Sequence, residues 1–421
     1  MRRPDVLRVF YGLEFFLSIG QHATFTVWAV YLVKDVGLNP LQLVLLGTAL
    51  EIAVFLFEVP TGVVADTYSR RASIIFGLVL GGISVVVMGL VPVFWVILAA
   101  SVIFGIAWTF ESGAWEAWIT DEHGVDGIGR VFLRGTQFSY AGAILGAILG
   151  VAVATQHLGA ALVVGGAITI ATGLACIFLM PEHGFVRRPI EERTSPLRSM
   201  TKTAVTGTRL VRGHRVLLLI VGITLFAGAA SEGFDRLWEA HLIRDAGLPD
   251  LWGMDPVLWF GVFNVVGLLA GIAITSFLVP RFEHADNRRL ATALLWLTAV
   301  LSATMILFGL AASFVLASAA YLVARLFRRL RDPLYTTWLN KNVEDSSVRA
   351  TVNSIASQSD AIGQVGGGPA IGAIGTLASV RAALVVSGLL LAPALALYAR
   401  AGRSGREPEL PEIPAPAPAE A

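Results

Sequence analysis

Cysteine is almost missing: Cys176 stands alone, so no internal disulfide can form. Lysine is nearly as rare, at three residues against 28 arginines. There is no glycine-rich phosphate loop ending in lysine, no zinc-ligand spacing and no defensible Ser/His/Asp arrangement. These absences argue against nucleotide hydrolysis and against an enzyme, and no cofactor or metal is expected. A net charge of +1 gives no basis for a nucleic-acid partner. Charge itself is scarce, at 14% of residues, while 55% are apolar and the mean hydropathy is +0.72. A soluble domain of 421 residues cannot hide that much apolar surface, so the lipid bilayer is the expected solvent.

A bilayer span needs about 20 mostly apolar residues. Twelve such stretches occur, in two groups of six: about 6–33, 42–64, 72–91, 94–119, 134–155 and 159–180, then about 215–242, 257–280, 288–309, 312–338, 349–375 and 380–400. No small-residue cleavage site follows "MRRPDVLRV", so the first stretch is expected to remain as a span. With the amino terminus inside, the outer loops hold only Lys34, Arg244 and Arg381. Arg70, Arg71, Arg130, Arg187, Arg188, Arg281, Arg288 and Arg289 then lie inside, as the positive-inside rule requires. Both termini are therefore expected to be cytoplasmic. The excess of Arg over Lys, with much Ala and Gly, suggests a bacterial genome rich in G and C, and the expected location is a bacterial inner membrane.

The two groups repeat each other. "WAVYLVKDVGL" from Trp28 and "WEAHLIRDAGL" from Trp238 stand 210 residues apart. Pro60 and Pro280, and likewise Trp118 and Trp338, are separated by 220, because "PDLWGMDP" lengthens one loop of the second copy. An even number of spans separates matching segments, so the copies have the same orientation. The expected organisation is an all-α membrane protein of two pseudo-symmetric six-helix bundles, 1–180 and 215–400. A basic cytoplasmic linker, 181–214, joins them, and a Pro/Ala-rich tail, 401–421, is expected to be disordered.

Parallel six-helix repeats, a basic linker and "GVVADTYSRR" from Gly62 to Arg71 resemble the major facilitator superfamily over about residues 6–400. The superfamily's loop between spans two and three carries Gly, Asp and an Arg pair, here Gly62, Asp66, Arg70 and Arg71, with Ser69 in place of the usual glycine. The resemblance implies a latch between spans two and eleven that biases which side is open. It also places spans one, four, seven and ten around a central cavity. Gly142, Gly146 and Gly150 recur every four residues and offer one small face for close helix packing. They resemble the fifth-span motif of drug–proton antiporters, with Ala147 where that motif has proline and with Gly368–Pro369 in span eleven instead. The span-four arginine of those antiporters is missing; Thr109 lies near its place.

Ionisable residues within spans are the best guide to a site, since each costs roughly 2.5–3.5 kcal/mol near the bilayer centre. Glu14, Ser18 and His22 share one face of span one, and Ser231, Glu232, Asp235, Arg236 and Glu239 form a stripe on span seven. The resemblance sets these stripes opposite each other across the cavity. Glu111 and Glu116 lie in span four; Arg325, Arg328, Arg329, Arg331 and Asp332 lie in span ten, with Glu111 and Arg331 at matching repeat positions suited to a salt-bridge gate or a basic vestibule. Glu58 and Asp360 are further candidates for coupling or helix pairing. The expectation is a secondary transporter, a proton-driven exporter of small amphipathic compounds such as antibiotics or metabolites. Its partners are a small-molecule substrate, protons and the bilayer, and two halves complete one pathway, so a monomer suffices. The alternatives are an importer or symporter of an anionic metabolite, or a transporter-like sensor or lipid-handling protein.

Overall fold

The computed structural model describes residues 5–185, 215–250, 257–282, 285–342 and 346–403; most of the linker and nearly all of the tail lie outside the described residues. All regular structure among them is helical. The amino-terminal half contains α1 (Val6–Phe25), α2 (Trp28–Lys34), α3 (Pro40–Thr67), α4 (Arg70–Leu90), α5 (Phe94–Glu111), α6 (Ala114–His123), α7 (Ile128–Ala154) and α8 (Leu158–Leu179). The second half contains α9 (Arg215–His241), which runs into a π-helical turn (Leu242–Ala246), then α10 (Leu258–Phe282), α11 (Asn287–Leu310), α12 (Phe314–Lys341), α13 (Ser346–Leu377), α14 (Val380–Leu389) and α15 (Ala392–Arg403). Span one is α1 plus α2, broken at Thr26 and Val27; span four is α5 plus α6, broken at Gly113, whose φ of 42° suits glycine. Span twelve is α14 plus α15.

Helix starts follow local chemistry. Asn39 and Gln42 form a capping box at the start of α3, where Pro40 occupies the first turn. Ser69 accepts from Ala72 N at 2.9 Å to open α4, and Asp286 accepts from Arg289 N at 2.7 Å to open α11, its repeat mate. The largest departure from the expected spans is at α7, which begins at Ile128 rather than near 134, because helix continues past the apolar run through Arg130 and Arg134.

Among the described residues, nine helical stretches are long and apolar enough to cross a membrane, and Leu258–Ile274 is a shorter tenth. Spans ten and eleven miss on composition rather than length: α12 carries its arginines mid-helix, and α13 is rich in glycine and polar residues. Both pack inside the assembly, α12 on α10 and α11, α13 on α9 and α3.

Packing repeats as the sequence does. In the first bundle α1 packs on α7, α4 on α8, and α3 on α5; in the second the matching pairs are α9 on α13, α11 on α14 and α15, and α10 on α12. The Gly142, Gly146, Gly150 face meets the backbone of Phe15, Ile19 and Ala23, and a Cβ at any of the three would run into a carbonyl oxygen of α1. In the second bundle a Cβ at Gly363 would run into the carbonyl oxygen of Leu225, and one at Gly367 into the Cβ of Ala229, both on α9. Gly146→Leu is therefore expected to lower stability by about 1–3 kcal/mol through overpacking, read as earlier thermal unfolding in detergent; an unchanged midpoint would contradict this packing.

The two bundles touch through α3 with α13, α7 with α10, and α9 with α2 and α3. One shared apolar cluster, including Val30, Leu43, Leu46, Val151, Phe234, Leu237 and Phe260, joins both bundles toward the face that carries Lys34. Toward the opposite face, which carries Arg70, each bundle has its own cluster: Phe10, Ile74 and Trp118 in the first, Leu217, Leu290, Trp338 and Tyr398 in the second. Polar links across the interface also lie on the Lys34 side: Leu41 N donates to Thr376 Oγ1 at 2.9 Å, and Arg244 to Leu38 O at 2.7 Å. The bundles are thus joined at one face and carry separate cores at the other.

Candidate functional site between the bundles

Two clefts lie between the bundles, each lined by residues of both. The first, with about 670 Å³ of empty space, has apolar walls from Phe25, Trp28, Leu43, Leu46, Met88 and Phe104. Its polar wall is α9, through Asp235, Arg236 and Glu239. Arg236 Nε donates to Glu232 Oε1 at 3.1 Å, and the Glu232 side chain is only 2% exposed. Gly47 of α3 makes room for this pair, since a Cβ there would collide with both side chains. One turn along α3 is Glu51, within electrostatic range of Arg236, Glu232 and Asp360. Asp235 is ion-paired with Arg328 of α12. Glu239 Oε2 is buried and accepts no hydrogen bond among the described residues.

The second cleft is smaller, about 280 Å³, between α1, α7, α10 and α12, and is lined by His22, Ala143, Ala147, Asn264, Arg325 and Arg329 among others. Arg325 donates to Asn264 Oδ1 at 3.1 Å and to Tyr321 Oη at 3.2 Å, and Trp238 stacks on the Tyr321 ring at 4.0 Å. Asn264 Nδ2 in turn donates to Thr26 Oγ1 across the bundle interface at 2.9 Å. The symmetry is detailed: His22 and Glu232 are repeat mates 210 apart, and Gly47 and Gly267, mates 220 apart, each lie against a charged pair or guanidinium.

The stripes expected to face each other do not do so along their length. Glu14 accepts from Trp115 Nε1 at 2.8 Å, and the buried Ser18 donates to Ser139 O at 2.7 Å, so both are held within the first bundle. Only His22 reaches a cleft, and it meets α12 rather than α9. Helical periodicity fixes which residues share a face but not which neighbour that face meets. Glu111 does not meet Arg331: its side chain packs on Gly77 of α4, while Arg331 pairs with adjacent Asp332 at 3.3 Å. Asp360 accepts from Gln364 at 2.7 Å, and Glu58 is exposed.

At the Arg70 face, Arg70 pairs with Asp66 at 3.5 Å and with Asp121, and donates to Ala117 O at 2.9 Å. Arg71 N donates to Glu182 at 2.9 Å, and Ser69 Oγ to the same carboxylate at 2.7 Å. The side chain of Arg71 donates to Ile177 O. Asp66, Ala117, Asp121 and Ile177 belong to the first bundle, and Glu182 to the start of the segment that follows it. A Cβ on Gly62 would meet nothing within 4 Å. Asp121, Glu182, Trp115, Asn264 and Glu51 carry contacts that sequence reasoning passed over. Glu51 had a readable signal, as a carboxylate within an apolar 28-residue helix, four residues after the glycine that admits the ion pair.

Two repeated bundles that enclose charged clefts and carry separate cores on one side define a multi-pass membrane transporter. The chain belongs to the Major Facilitator Superfamily, whose sequence profile matches residues 10–323. It is 24% identical over 406 residues to the uncharacterized MFS-type transporter YxaM of Bacillus subtilis (strain 168), covering 93% of this chain and 95% of that one. In fold it is similar to a mutant of the nucleoside transporter NupG, with a TM-score of 0.75 at 13% identity over 96% of this chain and 100% of that one. It is also similar to a bacterial homolog of the human lysosomal transporter Spinster, inward-facing and unoccupied, with a TM-score of 0.70 at 17% identity over 95% and 96%. These relatives are transporters, not enzymes, and the fold is that of secondary transport.

Proposed function

We propose that the chain is a proton-driven exporter of small amphipathic compounds in a bacterial inner membrane, with the Arg70 face toward the cytoplasm. Bundles 1–180 and 215–400 rock about the two clefts, with 181–214 as a cytoplasmic linker and 401–421 as a tail. The observation that carries this reading is the first cleft, where an aromatic and aliphatic wall faces a stripe of carboxylates paired with arginines. An apolar wall with a few convergent polar groups suits an amphipathic ligand. A carboxylate whose arginine partner is drawn away by a ligand or by bundle motion changes its proton affinity, which links occupancy to proton movement. On this orientation the bundles are closed toward the outside. The orientation draws on the positive-inside distribution of arginines, and the exporter reading on the repeat, the "GVVADTYSRR" loop and the carboxylates within the spans.

The test is accumulation of a panel of dyes and antibiotics in an efflux-deficient bacterium that makes the protein. Lower accumulation, abolished by a protonophore, is the expected result. Raised accumulation, or lowered accumulation that the protonophore leaves intact, would contradict proton-driven export.

A further inference from the structure

Arg325 and Arg329 sit one turn apart on α12 and both line the second cleft. Like charges at this spacing repel, and removal from water makes the repulsion stronger. Elsewhere in the site each arginine has its carboxylate: Arg236 has Glu232, and Arg328 has Asp235. Among the described residues no carboxylate lies within ion-pair distance of Arg325 or Arg329, and none lines this cleft. Arg325 is held only by neutral groups, Asn264, Tyr321 and the Phe263 carbonyl. Glu239, within electrostatic range of Arg325, lines the other cleft.

Room has been left for these cations. Gly267 and Gly271, one turn apart on α10, lie against Arg325 and Arg329 respectively, and a Cβ at Gly271 would overlap the Arg329 side chain. Ala143 and Ala147 form a small wall on α7. His22 Nδ1 lies 3.0 Å from the Ser18 carbonyl, which only accepts, so the neutral ring carries its proton on Nδ1 and leaves Nε2 unprotonated. Two cations with no carboxylate at ion-pair distance, set among small walls between the two bundles, form an anion subsite that the protein itself does not fill.

We propose that this cleft binds the carboxylate group of an organic acid, with Arg325 and Arg329 as counter-ions. The inference rests on the transporter reading and narrows its substrate class from amphipathic compounds to amphipathic carboxylates. Arginine presents a planar fork of donors that matches a carboxylate.

The sole cysteine is buried, which makes a clean labelling background. In full-length Cys176→Ala protein, Val265→Cys places a thiol in the cleft, and Ala147→Cys places one on the opposite wall should the first variant fail to fold. Modification rates are compared for a sulfonate-bearing and a trimethylammonium-bearing methanethiosulfonate. The expected result is that the anionic reagent reacts about tenfold faster, as a local potential from two cations implies. Benzoate should slow the reaction and benzamide should not. Both effects should vanish in Arg325→Gln/Arg329→Gln. Equal rates for the two reagents, equal protection by benzamide, or protection by sulfate but not benzoate would overturn the proposal. Labelling reads binding alone: benzoate protection without protonophore-sensitive efflux would sink the export reading and leave the site, while efflux without protection would sink the site and leave export.

Discussion

Glu232→Leu is expected to destabilise the protein by about 2–3 kcal/mol and to abolish transport. Removing one member of an enclosed ion pair leaves the other charge without its partner, at about 3–5 kcal/mol when both are fully buried. Arg236 keeps 29% exposure, which lowers the figure. Replacing both members by apolar residues of similar volume is often neutral, so Glu232→Leu/Arg236→Met should regain most of the lost thermal stability. It should not regain transport, because the cleft then has no carboxylate at this point to take up a proton. Thermal unfolding in detergent and flux in vesicles separate the two effects. Recovery of flux in the double variant would show that the pair serves packing alone.

Asp235→Asn is the second change with a large expected effect, a drop in coupled flux of about tenfold or more with the amount of protein in the membrane maintained. The Asp235–Arg328 pair joins α9 to α12 and is partly open to the cleft, so its loss should perturb function more than folding. Exchanging the two, as Asp235→Arg/Arg328→Asp, restores opposite charge across the same gap and should recover part of the flux. Full flux in Asp235→Asn would remove this carboxylate from the coupling path.

The fold was legible because membrane solvation writes itself into long apolar runs, and duplication allowed the weaker spans to be read through their mates. Trp338 and the repeated prolines mark α12 and α10 as spans even though the arginines of α12 defeat hydropathy. The site was legible only in part. Charge in an apolar run marked Glu232, Asp235, Arg236 and Arg325, which all fall at the interface, and Arg328, which pairs with Asp235. Glu14 and Ser18 share a helical face with His22, yet α6 and α7 claim them, because the break at Thr26 and the close α1–α7 contact set by Gly142 to Gly150 determine how span one is turned. Glu111 failed for a related reason: the break at Gly113 and the small Gly77 on α4 draw it toward its own bundle. Repeat symmetry pairs positions across the axis; it does not bring them into contact.

Alternating access requires the bundles to rock as rigid halves and expose the clefts in turn. Spin labels test it on two pairs in the Cys176→Ala background. Tyr68→Cys with Arg288→Cys reports the Arg70 face, and Trp95→Cys with Val315→Cys reports the Lys34 face; all four positions are exposed. As pH is varied across the range that protonates the cleft carboxylates, the two distance distributions should shift in opposite senses, one pair approaching as the other separates. Distances that stay fixed at both faces, or that widen together, would contradict alternating access.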